Sequence, residues 1–117
     1  MEGANEECKV NIKTKKTQID MYVFDSAKEA KRYRELKLLE MAGEISDLEL
    51  QPRFLLQESF RKNGKAYRKI EYVADFKYIE NGKTIVEDVK GLQTDVFKIK
   101  HKLFEKKYPE LELRIIE

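Results

Sequence analysis

The sequence predicts an α/β domain, a mixed sheet flanked by helices in the order α-β-β-β-α-β, and three observations carry that expectation. Polar–apolar alternation runs through residues 67–79 and resumes at 84–90, across an Asn81-Gly82 dipeptide that is a strong hairpin signal. Two segments of helical composition, opening at Ser26 and Thr94, bracket these strands. An alternating stretch at 111–116 follows the second helix and returns the chain to the sheet.

Residues 1–20 are polar and aperiodic, with a basic run at 13–16. They are expected to form a flexible arm, or one that touches nucleic-acid phosphate, ahead of a single domain over 21–117. Ser26 is placed to cap a helix over 26–42, with Glu29 three residues on as the capping-box partner and Gly43 as the stop. Residues 48–60 suit a strand that Pro52 pushes toward an edge or a bulge, and Asn63-Gly64 reads as a tight turn. In 67–79, Ile70, Tyr72, Ala74, Phe76 and Tyr78 should share one face, leaving Glu71, Val73, Asp75, Lys77 and Ile79 on the other. Gly91 ends the returning strand, and Thr94 caps a helix that runs to about Tyr108, where Pro109 stops it.

At 117 residues the chain has room for one core, and 39% charged against 41% apolar residues is compatible with folding. A net charge of +2 sets up no global field, so any nucleic-acid binding must come from a local patch. The single cysteine, Cys8, cannot form an internal disulfide, and the only histidine, His101, cannot supply a His/Cys zinc site. The opening residues lack a basic-then-apolar leader and no apolar run reaches membrane-spanning length, so a cytoplasmic location without membrane partners is expected.

Chemistry enters through the hairpin. If Asn81-Gly82 is a two-residue turn, Glu80 faces Lys83 and the register carried back along the strands sets Asp75 opposite Asp88. Two carboxylates on one face of neighbouring strands repel unless a cation lies between them. Magnesium, with manganese able to substitute, accepts one or two carboxylates and completes its shell with water and phosphate. Lys90, two residues beyond Asp88, points to the same face and could orient or deprotonate an attacking water, with Val73 and Val86 as an apolar floor. The competing reading of Asp75, Asp88 and Lys90 is a solvated charged face. On the second helix Lys98 and Lys100 can contact phosphate, or their stems can simply lie along apolar surface.

The segment Tyr72-Val-Ala-Asp-Phe76, followed after a short hairpin by Val86-Glu-Asp-Val-Lys-Gly91, resembles the split Asp…(Asp/Glu)-x-Lys signature of the PD-(D/E)xK nuclease superfamily. With Phe24-Asp-Ser-Ala-Lys-Glu29 and Leu50-Gln-Pro-Arg-Phe54 upstream, the order resembles the endonuclease subunit of cut-and-paste transposases and, more closely, small phage-encoded proteins of the superfamily. Ala74 stands where that signature usually has proline. The resemblance implies a restriction-endonuclease-like core and magnesium-dependent endonuclease activity on DNA, with Asp75 and Asp88 as ligands and Lys90 beside the water. It further implies Glu29 as a third acidic group reaching the metal, against its reading as a helix cap. Gln51 and Arg53 become nucleic-acid contacts, against a solvated edge-strand reading for Gln51. A Holliday-junction resolvase, which would act as a homodimer, and a non-catalytic nucleic-acid-binding module are the alternative functions. A separate targeting partner stays open.

Overall fold

The computed structural model describes residues 17–19, 22–24 and 26–117. Most of the expected arm, with Cys8 and the basic run at 13–16, lies outside the described residues. The chain falls into two compact units, Met1–Gly43 and Glu44–Glu117.

In the first unit β1 (Thr17–Ile19) pairs antiparallel with β2 (Tyr22–Phe24), so the end of the expected arm is a paired strand. Helix α1 (Ala27–Met41) follows, with Ser26 as its N-cap accepting the Glu29 N–H at 3.1 Å. Glu29, Ala30, Tyr33 and Leu36 are its buried residues, a stripe at helical spacing, and the Phe24 and Tyr33 rings lie 5.0 Å apart.

The second unit runs through β3 (Ser46–Leu50), β4 (Arg53–Gln57), β5 (Phe60–Lys62), β6 (Lys65–Tyr67), β7 (Ile70–Val73), β8 (Phe76–Glu80) and β9 (Lys83–Val89). It ends with α2 (Asp95–Lys107) and β10 (Glu112–Ile116). A four-stranded mixed sheet has the order β10-β9-β8-β3, in which β10 is parallel to β9 and the other neighbours are antiparallel. The protein is therefore α/β with a mixed sheet, as predicted, but its strands are more numerous than three plus one. The difference has a local cause. The expected strand at 48–60 breaks where Gln51 takes φ +52° and Pro52 has no N–H for a ladder. The expected strand at 67–79 breaks at the same level, at Ala74-Asp75, and the two breaks are joined. Gln51 N–H donates to Asp75 O at 2.9 Å, and Ala74 N–H to Pro52 O at 3.1 Å. Beyond the breaks β4 pairs with β7 as a two-stranded ribbon, and β5 with β6 as another around Asn63-Gly64.

The β8–β9 hairpin has the predicted register, from Glu80↔Lys83 to Phe76↔Glu87, with Asn81 and Gly82 both at positive φ. Strand β9 lies between β8 and β10 and buries Ile85, Val86, Glu87 and Asp88 in succession, so both of its faces are covered. One core gathers Phe54, Tyr72, Ala74, Val86, Phe97 and Phe104. Its rings meet at centroid distances of 5.0 Å for Phe54–Phe104 and 5.3 Å for Tyr72–Phe104, in edge-on arrangements that aromatic quadrupoles favour. Thr94 caps α2 as expected, accepting the Phe97 N–H at 3.1 Å. Phe97 and Phe104 face the core, whereas Val96, Ile99 and Leu103 are exposed.

Candidate active site

The break that ends β7 also positions the site. Asp75 lies between β7 and β8 and is held at three points. Its N–H donates to Glu87 O at 3.0 Å, its carbonyl accepts from Gln51, and its Oδ2 accepts the Val89 N–H at 2.8 Å. A carboxylate that takes a backbone N–H from β9 sits beside the strand that carries Asp88 and Lys90. Asp88 is 2% exposed, and its Oδ2 accepts the Tyr72 hydroxyl at 2.5 Å and lies 3.6 Å from Lys90 Nζ. The same Nζ stands 4.7 Å from the centre of the Phe97 ring, a cation–π position, while Lys90 N–H is tied to Ile116 O of β10. Lys90 is thus fixed at backbone and at ammonium.

Asp75 precedes the paired register, which ends at Phe76↔Glu87, so it is not the ladder partner of Asp88 that the hairpin alone implies. It comes beside the Asp88–Lys90 segment through its bond to the Val89 N–H, and the floor there is also different. Val73 is 41% exposed and does not floor the site; Tyr72 does, beside Val86 and Phe97. A continuous strand would put Tyr72 with Phe76 and Tyr78, away from Asp88. The break at Ala74-Asp75 slips the alternation by one, which turns Tyr72 to the Asp88 face and Val73 outward. Glu87 faces away from Asp88, as expected, and accepts the Tyr78 hydroxyl. Adjacent buried carboxylates on opposite faces of β9 are therefore each held by a tyrosine. Burial first, then the bond to Asp88 and the negative charges of Asp88 and Asp75, push the Tyr72 hydroxyl well above the usual tyrosine range. Tyr72 is a proton-bearing donor to Asp88 at any ordinary pH.

A cleft of 250 Å³ opens beside this cluster, lined by Tyr72, Val73, Lys90, Thr94, Phe97 and Lys100. Lys100 thus reaches the site's edge. Lys98, two residues before it and about 200° around the helix, is exposed and does not line the cleft. Gln51 is exposed and serves the site through its backbone bond to Asp75, and Arg53 is exposed and pairs with Glu71 at 3.3 Å. Glu29, 7% exposed, belongs to the first unit, and the cluster described here rests on the second unit alone. His101 pairs with Glu105 at 3.1 Å on α2.

The donor set suits a hard divalent cation in kind: two carboxylates, each with its Oδ2 held by a protein donor, supply the hard oxygen ligands such an ion takes. Among the described residues no group of three or more His, Cys, Asp or Glu side chains gathers to hold a metal, so Asp75 and Asp88 would be a two-carboxylate site. Among the described residues no helix is long and apolar enough to cross a membrane.

The chain belongs to the family described as Protein of unknown function (DUF1064), whose model matches residues 9–117. No curated protein and no solved structure matches it.

Proposed function

We propose that the chain is a metal-dependent endonuclease that hydrolyses DNA phosphodiester bonds, with Asp75 and Asp88 holding magnesium and Lys90 positioning the attacking water. The observation that carries the reading is the meeting of these three groups at the ends of β8 and β9, with Lys90 Nζ 3.6 Å from Asp88 and the Asp75 carboxylate on the Val89 N–H between them. Magnesium bound there would supply Lewis acidity toward phosphate and water. The protein's own groups do the rest. Tyr72 donates to Asp88 and fixes the orientation of its carboxylate. Lys90, held over Phe97, presents an ammonium that can orient water and offset negative charge growing on phosphorus. Lys100 supplies a second cation at the cleft for a neighbouring phosphate.

Purified protein should cleave DNA with magnesium or manganese, and Lys90→Ala and Asp88→Ala should each abolish cleavage while a circular dichroism spectrum shows the fold retained. Absence of cleavage of linear, branched and single-stranded DNA by wild-type protein with either metal would sink the proposal. A second reading has its own observation. Asp88, buried and already engaged by Tyr72 and Lys90, also suits a structural ion pair, which favours a non-catalytic nucleic-acid-binding module. Titration calorimetry with manganese separates the two, because only a metal site loses heat of binding when Asp75 and Asp88 become asparagine.

A further inference from the structure

The β5–β6 ribbon has a composition unlike the rest of the chain. Residues 60–70 contain five cations, Arg61, Lys62, Lys65, Arg68 and Lys69, and no acid, in a chain whose net charge is only +2. Every residue from 60 to 70 is exposed, and the ribbon forms a sheet of its own. Such a two-stranded hairpin is marginally stable in water and needs local bracing. Here the brace is aromatic: Phe60 and Tyr67 stack across the strands at 4.8 Å and 11°, while remaining 44% and 39% exposed. The turn is the I′ type that fits a hairpin, with Asn63 at φ +53° and Gly64 at φ +77°.

On the face that carries the aromatic pair, the next cross-strand pair is Lys62↔Lys65. Like charges directly opposed are destabilising, and an anion laid against that face removes the penalty. Lys65 sits over Tyr67 at 5.2 Å, and Lys69 pairs with Glu71 at 3.4 Å. Lys62 and Arg68 have no ion-pair partner among the described residues. The excess charge is thus concentrated and exposed, and of the five cations Lys69 alone has an ion-pair partner among the described residues.

We infer that the β5–β6 hairpin is a docking ribbon for double-stranded DNA, which the protein lays against the sugar-phosphate edges of a groove. The inference deepens the proposed function, on which its choice of partner rests, by naming duplex as the substrate form. The B-form major groove, about 12 Å wide, admits a two-stranded ribbon, whereas that of A-form RNA is too narrow. Phe60 and Tyr67 stack on each other rather than standing free as platforms for unpaired bases, which argues against single strands. The scale also fits. At about 3.3 Å per residue the ribbon's Lys65 stands no more than roughly 26 Å along the chain from Val73, within the ~34 Å of one duplex turn. One duplex can therefore touch the ribbon and reach the Asp75–Asp88 cluster.

The test is binding of a fluorescent duplex in EDTA, where no cleavage intervenes, followed by anisotropy from about 50 to 200 mM salt. The combined variant Lys62→Ala/Lys65→Ala/Arg68→Ala should flatten the log–log salt slope by about 2.7, from ~0.9 per phosphate contact, and weaken binding roughly 500-fold at 0.1 M salt. A control with the same charge loss elsewhere, Lys28→Ala/Lys31→Ala/Arg34→Ala on the exposed side of α1, should keep the wild-type slope. Equal weakening by both variants, no duplex binding by wild type, or hairpin-dependent binding to vesicles of anionic phospholipid in preference to duplex would each overturn the inference. Metal-dependent cleavage by wild type is scored separately, so a passive hairpin and an inactive cluster give different results.

Discussion

Replacing Tyr72 with phenylalanine removes one oxygen from the interior and leaves the ring in place among Phe54, Phe97 and Phe104. What is lost is the hydroxyl that donates to Asp88 Oδ2 at 2.5 Å in a position 3% exposed. A hydrogen bond to a charged group contributes about 1.5–3 kcal/mol, and leaving the carboxylate less satisfied keeps the expected loss in that range. Urea denaturation at neutral pH reads it as a lower midpoint with an unchanged slope. Because Tyr72 also orients a proposed ligand, the variant should bind manganese about 10- to 100-fold more weakly by calorimetry. The pH dependence adds an independent check. Tyr72 in the folded protein ionises above the ordinary value of 10.0, so its contribution is present below pH 10 and is lost as pH rises, when the unfolded state alone gives up the proton. Wild-type stability should therefore fall above about pH 10 by up to roughly 1.4 kcal/mol per pH unit from this group, and the phenylalanine variant should lack that component. A variant within about 0.5 kcal/mol of wild type, with unaltered manganese binding and an unaltered alkaline limb, would refute the argument that Tyr72 supports Asp88.

Gly82→Ala should lower stability by about 1–2 kcal/mol, read from the urea midpoint. Gly82 sits at φ +78° with open space around an added Cβ, so backbone strain is the whole effect. Phe104→Ala should lose about 3–5 kcal/mol, because the ring is fully buried and touches Phe54, Tyr72 and Tyr108; thermal unfolding checks this. Ser26→Ala, which takes away the acceptor for the Glu29 N–H, should lose roughly 1 kcal/mol, measured by denaturant unfolding.

Which features of this chain can be read without coordinates depends on how local their causes are. Asn81-Gly82 can adopt positive φ at both positions at little strain, so the β8–β9 register from Glu80↔Lys83 to Phe76↔Glu87 follows from two residues, and strand alternation then puts Asp88 and Lys90 on one face. The caps at Ser26 and Thr94 are equally local, since each satisfies an N–H three residues ahead. The Phe60–Tyr67 ribbon was partly visible in its turn, but its five cations stand out only once every neighbouring side chain is seen to be exposed.

Tyr72 marks the other limit. Its side of the strand depends on a break at Ala74-Asp75 that answers a break at Gln51-Pro52, more than twenty residues away, and strand alternation carries no memory of a partner's bend. The parallel seating of β10 on β9, which ties down Lys90 N–H, likewise arises from packing of distant segments. Short-range steric and hydrogen-bonding preferences, written in a few residues, thus set the hairpin that carries Asp88 and Lys90, while Asp75 takes its place at the long-range break. The support beneath them, Tyr72 and Phe97, came from long-range pairing and burial, whose energies exist only once the chain has closed on itself.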